Sequence, residues 1–115
     1  KNYESTLNPE SQFYKSVRTL EKKDDQVFEL SQIVRLYITR RYQIPAIEMS
    51  TKEALQQFSN KWPRLKDEKK EVKNILNDLD RMMNDKEKKQ DLKEYIPRLY
   101  RFVDHTEIKM QDRSL

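Results

Sequence analysis

The sequence feature that most constrains the fold is an uninterrupted run at residues 25–41 that is apolar on most sides of a helix. Val27, Leu30, Val34 and Ile38 recur at the three- and four-residue steps of one helical face, with Tyr37 beside them. Three further apolar side chains widen this face well beyond an amphipathic stripe: Phe28, Ile33 and Leu36. A helix that is apolar around most of its circumference is normally covered on most sides. We therefore predict a central helix at about residues 25–42, with the other segments packed around it.

The absence of glycine also favours a helical fold. The chain has 115 residues and no glycine, whereas sheet proteins rely on glycine for tight turns and bulges. A chain of this length suits one domain. Its apolar share of 35% is low and its charged share of 38% is high, so we expect a thin core and disordered ends.

The periodic segments predict an all-α, bundle-like single domain of five helices. We expect a tail at residues 1–8, a helical domain at 9–106 and a second tail at 107–115. The predicted helices lie at about 9–22, 25–42, 51–60, 66–84 and 86–105. Asn8 and Pro9 predict the start of the first helix, and Ser50 and Glu53 form a capping-box pattern that predicts the start of the third. Pro97 falls inside the last helix, where we expect a kink because the apolar face continues in phase across it.

The connector between the central helix and the next one contains Pro45. Proline biases the preceding residue, Ile44, away from the helical region of backbone space. We therefore predict an extended connector whose isoleucines, Ile44 and Ile47, contact the core.

Arg35 interrupts the apolar surface of the central helix, and two interpretations stay open. In the structural one, its stem lies on the core and its guanidinium pairs with a carboxylate from another helix. The expected partner is Asp80 on the fourth helix, or failing that Asp78. In the functional one, Arg35 is held for the carboxylate or phosphate of a binding partner.

Trp62 is the only tryptophan and also allows two interpretations. It is either an amphipathic plug over one end of the core or an exposed anchor for a partner. Five cations could form a basic patch interleaved with Tyr42 and Trp62: Arg40, Arg41, Lys61, Arg64 and Lys66. Such a patch is the basis of an alternative function, a small basic nucleic-acid-binding protein. We do not favour it, since the cations are spread over several segments and acids flank most lysines.

The composition does not favour an enzyme. The chain has no cysteine and one histidine, so a zinc site is not expected, and without glycine no phosphate-binding loop of the usual form can be built. We predict no metal and no cofactor. No apolar run is long enough to span a membrane. Because the chain starts at Lys1 without methionine, we expect a fragment whose membrane anchor could lie upstream.

Several segments in a fixed order resemble the pattern of a known bacterial domain. They are Glu29-Leu30-Ser31, Ile33-Val34-Arg35-Leu36-Tyr37-Ile38, Arg41-Tyr42, Ile44-Pro45-Ala46 and Glu48-Met49-Ser50-Thr51-Lys52-Glu53. This order is similar to the signature LS-x-I-x-R-x-Y-I-x-x-R-[FY]-x-I-P-A-x-E-x-[ST]-T-x-E. That signature belongs to the helical C-terminal cytoplasmic domain of BatD-like proteins and of related single-span proteins from bacterial Bat (aerotolerance) operons. The chain departs from the family at residues 80–85, DRMMND, where a stretch like D-L-V-K-F-A is usual.

The resemblance implies a membrane-associated accessory domain at the cytoplasmic face of the inner membrane, with no assigned enzymatic activity. It implies protein partners, namely von Willebrand A-domain proteins and a MoxR-type AAA+ ATPase. According to the resemblance, the chain is linked to the membrane only through an anchor upstream of Lys1 that is not part of this sequence. The candidate structural or partner-binding residues are Arg35, Tyr37, Arg41, Tyr42, Trp62 and Asp80.

Overall fold

A computed structural model shows the predicted all-α fold and describes residues 7–20, 26–85 and 92–112. Within these ranges there are five α-helices and one short turn of 3-10 helix. The α-helices are α1 (Pro9–Leu20), α2 (Gln26–Tyr42), α3 (Thr51–Lys61), α4 (Lys66–Asn84) and α5 (Leu92–Asp112). Most of the predicted N-terminal tail, residues 21–22 of the predicted first helix and the predicted start of the last helix lie outside the described residues.

Helix α2 is the central helix, as predicted. Leu30, Val34 and Ile38 have no solvent exposure, and α2 packs against α1, α4 and the connector to α3. The burial is not uniform around the helix, since Phe28 near its N-terminal end is 47% exposed. The apolar stripe of α2 therefore organises the core, which helices α1, α3, α4 and α5 complete.

The helix starts follow from local capping. The Asn8 Oδ1 atom accepts a hydrogen bond of 2.8 Å from the Ser11 backbone N–H, so Asn8 caps α1. At α3 the capping box is complete: the Ser50 hydroxyl accepts from the Glu53 N–H, and the Glu53 carboxylate accepts from the Ser50 N–H. The predicted boundaries of α4 also agree with the structure.

The connector between α2 and α3 is not simply extended, and that prediction was wrong at Ala46–Glu48, which form a 3-10 turn. Gln43, directly after the end of α2, has a φ of 59°, a left-handed conformation that glycine usually takes at this place after a helix. This sharp reversal turns Ile44 and Ala46 into the core, where they are 3% and 0% exposed.

Helix α5 extends further than the sequence indicated. The predicted tail at 107–115 was wrong for residues 107–112, because α5 runs to Asp112 and Met110 is 5% exposed. Pro97 lies inside this one continuous helix, so the helix does not split there. In the part of the chain that the structure describes, none of the helices has the length and apolar content of a membrane span.

The last turns of α5 should therefore contribute to stability. A chain that ends after Thr106 loses the buried Met110 and the contacts of Glu107, and we expect its free energy of unfolding to fall by at least about 3 kcal/mol. The matched control is Gln111→Ala, a change at an exposed residue of the same turns, which should change it by less than about 0.5 kcal/mol. Urea denaturation of both proteins measures the difference, and equal stabilities would contradict the assignment of residues 107–112 to the folded domain.

Candidate functional site

Arg35 lies at the junction of three segments. From α2 its Nη2 donates to the Asp80 Oδ1 at 3.2 Å and to the Thr51 Oγ1 at 2.8 Å. Its Nη1 donates to the Met49 carbonyl at 3.1 Å, and its Nε donates to the Ser31 hydroxyl at 3.3 Å. We call Ser31, Arg35, Met49, Thr51 and Asp80 the Arg35 cluster. These four bonds use most of the five N–H donors of the guanidinium.

The Arg35 cluster joins α2 to α3 by a hydrogen bond and to α4 by an ion pair. The Arg35 side chain is 8% exposed and that of Asp80 is 35% exposed, so the pair sits at the edge of the core. The Thr51 hydroxyl accepts from Arg35 and donates to the Asp80 Oδ2, which closes the network. The predicted partner Asp80 is thus in contact with Arg35, which supports the structural interpretation. Thr51 and the Met49 carbonyl were not predicted as partners of Arg35. Both adjoin Ser50, the residue whose capping pattern predicted the start of α3.

Tyr37 and Arg41 converge on a residue that the sequence reasoning missed, Glu107. The Tyr37 hydroxyl donates to the Glu107 Oε2 at 2.6 Å, and the Arg41 Nη2 donates to the Glu107 Oε1. The Arg41 and Glu107 side chains are 20% and 13% exposed. Burial raises the pKa of Tyr37 far above its ordinary value, and its bond to the Glu107 carboxylate adds to the rise. This Glu107 cluster attaches the end of α5 to α2.

Tyr42 and Trp62 close one end of the core. The Tyr42 side chain is 1% exposed, and its ring meets the Phe58 ring edge-on at a centroid distance of 4.7 Å. The half-buried Trp62 donates from its Nε1 to the Tyr42 carbonyl at 2.8 Å, as expected of an amphipathic plug. Burial raises the pKa of Tyr42 to about 12, the carboxylates of Glu68 and Glu71 add to the rise, and a hydrogen bond with Thr106 opposes it.

The five cations that could have formed a basic patch do not form one continuous exposed surface of free cations. The Arg40 Nη1 donates to the Gln12 Oε1 at 2.6 Å, and Arg41 belongs to the Glu107 cluster. The Lys61 Nζ donates to the Gln43 carbonyl at 2.9 Å. Three of the five side chains therefore bond within the fold. The other two are exposed: Arg64 lies two residues before α4, and Lys66 is the first residue of α4.

A surface cleft between α4 and α5 is the second candidate site. Its volume is about 310 Å³, and it is lined by Glu71, Arg98, Arg101, Phe102, Asp104 and His105. The outer side of α5 continues from this cleft to Ile108, which is 57% exposed and three residues beyond His105. The Arg98 Nε lies 3.9 Å from the Asp78 Oδ2. The sequence reasoning missed this cleft, although the spacing of Arg98, Arg101 and His105 placed them on one helical face.

Neither candidate site has the composition of a metal centre. Residues 7–20, 26–85 and 92–112 contain no group of three or more histidine, cysteine, aspartate or glutamate side chains that could hold a metal ion. What the clusters do offer is fixed hydrogen bonds between helices and, at the cleft, charged and aromatic side chains beside each other.

Comparison with protein-family models, with curated proteins and with solved structures found no match.

The Arg35 cluster should be sensitive to loss of its charge. In Arg35→Met the stem remains, but Asp80, Thr51 and the Met49 carbonyl lose their donor, and we expect a loss of about 3 kcal/mol in the free energy of unfolding. Arg81→Met is the matched control, since it removes an ion pair to Asp78 from a side chain that is 73% exposed, and it should cost at most about 0.5 kcal/mol. Thermal and urea unfolding measure both, and similar losses would contradict a structural role for Arg35.

Tyr42 gives the stability a defined pH dependence. Because its folded pKa of about 12 exceeds the ordinary value of 10.0, the contribution of the protonated hydroxyl is complete below pH 10 and is lost as the pH rises toward 12. The difference in unfolding free energy between the natural protein and Tyr42→Phe should therefore shrink by about 1.4 kcal/mol per pH unit in this range. Urea titrations at a series of alkaline pH values test this, and a constant difference would refute it.

Proposed function

We propose that this chain is a non-enzymatic protein–protein interaction domain, the cytoplasmic part of a membrane-linked Bat-type assembly. Its partners in this proposal are von Willebrand A-domain proteins and a MoxR-type AAA+ ATPase. The choice of assembly and partners is supported by the residues of α2, the connector and the start of α3 that resemble the BatD-like domain. The observation that carries an interaction role is the cleft between α4 and α5, continued by the exposed Ile108.

The polar side chains of the resembling segment support a scaffold role. Arg35 and Thr51 contact Asp80, Tyr37 and Arg41 contact Glu107, and Ser50 caps α3. Apart from the buried Arg41 Nε, which has no hydrogen-bond partner among the described residues, the polar groups of these side chains are used inside the fold. In this proposal the segment specifies the fold, and the surface that binds a partner lies elsewhere.

The cleft has the chemistry of a protein contact. Arginine side chains are enriched at the centres of protein interfaces, and here Arg98 and Arg101 line the cleft, whose floor includes the buried Phe102. Asp104 and Glu71 supply opposite charges for orientation, and Ile108 offers an apolar contact on the same side of α5. A partner that covers this face would bury the isoleucine and pair with the arginines.

Binding measurements with the proposed partners test this role. The chain is titrated by calorimetry into a von Willebrand A-domain protein and, separately, into the MoxR-type ATPase of one Bat operon. We expect saturable binding to at least one of them, weakened at least about tenfold by Arg101→Glu and by Ile108→Glu, as for residues at the centre of an interface.

The matched control is Arg18→Glu, which makes the same change at an exposed arginine of α1 and should leave the affinity unchanged. Circular dichroism establishes that each variant is folded. Absence of binding to every partner would refute the proposed assembly. Equal weakening by Arg18→Glu and Arg101→Glu would show that the cleft is not the contact.

A further inference from the structure

The side of α4 that faces away from the core carries cations and amides. Every exposed residue of this helix except Asp67 is a lysine, an arginine or an asparagine. We call these residues the α4 ridge: Lys66, Lys70, Lys73, Asn74, Asn77, Arg81 and Asn84. They recur at three- and four-residue steps, opposite the buried Val72, Ile75 and Leu79. The ridge is about 27 Å long, at about 1.5 Å for each residue of the helix.

The lysines of the α4 ridge take no part in holding the fold together. Among the described residues, the side chains of Lys66, Lys70 and Lys73 have no hydrogen-bond or ion-pair partner. This sets them apart from Arg35, Arg40 and Arg41, whose guanidinium groups all bond to other helices. Their charge is therefore fully available to a ligand outside the domain.

Acidic side chains lie on both flanks of the α4 ridge. Asp67, Glu71 and Asp78 follow one flank, and Asp80 lies on the other. A helix that enters the major groove of a DNA duplex, which is about 12 Å wide, would bring its flanks against the two phosphate backbones. The flanking carboxylates would then be repelled. On a flat anionic surface only the ridge is in contact, and the flanking carboxylates are held further away and screened by salt.

We infer that the α4 ridge docks on the surface of a lipid bilayer that contains anionic lipids. Lysines without partners suit this surface, because each cation near an anionic leaflet strengthens binding about fivefold and needs no fixed geometry. Three such lysines give weak, reversible binding that orients the domain. The inference rests on the charge distribution of α4 and does not depend on a protein partner at the cleft.

Sedimentation with lipid vesicles tests the inference. The full chain is mixed with vesicles of phosphatidylcholine and phosphatidylglycerol, or of phosphatidylcholine alone. We expect the chain to sediment only with the anionic vesicles, and to be released by high salt. The double variant K70Q/K73Q should lower the partition coefficient about 25-fold, at about fivefold for each lysine.

The control variant is K15Q/R18Q, which removes two exposed cations at the same three-residue spacing on α1. It should lower the partition coefficient by less than about threefold, since those cations do not face the surface. All four positions are exposed in helices, so both variants should keep the circular dichroism spectrum of the natural protein, and K66Q/K73Q serves as a second ridge variant.

Three results would overturn the inference. The first is absence of sedimentation with anionic vesicles at low salt, which would leave the α4 ridge as a solvated surface. The second is an equal loss of binding in K70Q/K73Q and K15Q/R18Q, which would indicate net charge alone. The third is binding to a DNA or RNA duplex that K70Q/K73Q abolishes, without any binding to vesicles.

Discussion

The rest of this structure depends on the burial of the Arg35 guanidinium. Removing a charged group from water costs several kcal/mol, and the cost is offset only when the surrounding groups are placed to receive it. Here the acceptors are the Met49 carbonyl at the end of the connector, Thr51 at the start of α3 and Asp80 near the C-terminal end of α4. The bonds of the guanidinium join these three segments to α2 at one point. The capping box at Ser50 and Glu53 helps, because it fixes where α3 begins and so where Thr51 lies.

Helix α2 holds its neighbours through polar groups at two places. The Arg35 cluster faces α3 and α4, and the Glu107 cluster, whose α2 members lie two and six residues after Arg35, faces α5. Between them lie Val34 and Ile38, which are fully buried. The chain has a low apolar content for its length, so directional bonds supply part of the order that a larger core would provide. A thin core and these polar clusters therefore complement each other.

The sequence predicts those features of the fold that neighbouring residues determine, and it predicts fewer of those that depend on contacts between distant segments. The capping of α1 and α3, the bounds of α4 and the central place of α2 follow from local spacing, and the structure agrees with them. The Arg35–Asp80 contact was also predictable, because a lone arginine on an apolar helix needs an acid from another segment.

The end of α5 and the shape of the connector were not predictable. Residues 107–112 include only two apolar side chains, one of them exposed Ile108, so they show no helical stripe. They are held by Glu107, whose partners are 66 and 70 positions away. The 3-10 turn at Ala46–Glu48 depends on Gln43 taking a left-handed backbone, which no local pattern indicates for glutamine. The cleft between α4 and α5 exists only once these helices have packed together.

The contact between the first and last helices has a consequence for synthesis of the protein. The Tyr14 hydroxyl bonds to Asp104, 90 positions later, and the rings of Phe13 and Tyr14 pack edge-on against Tyr100. Because a nascent chain grows from its N-terminus, α1 emerges from the ribosome long before α5 exists to cover it. Phe13 packs against Tyr37 as soon as α2 has been made, whereas its contact with Tyr100 and the bond from Tyr14 to Asp104 form only after α5 has been synthesised.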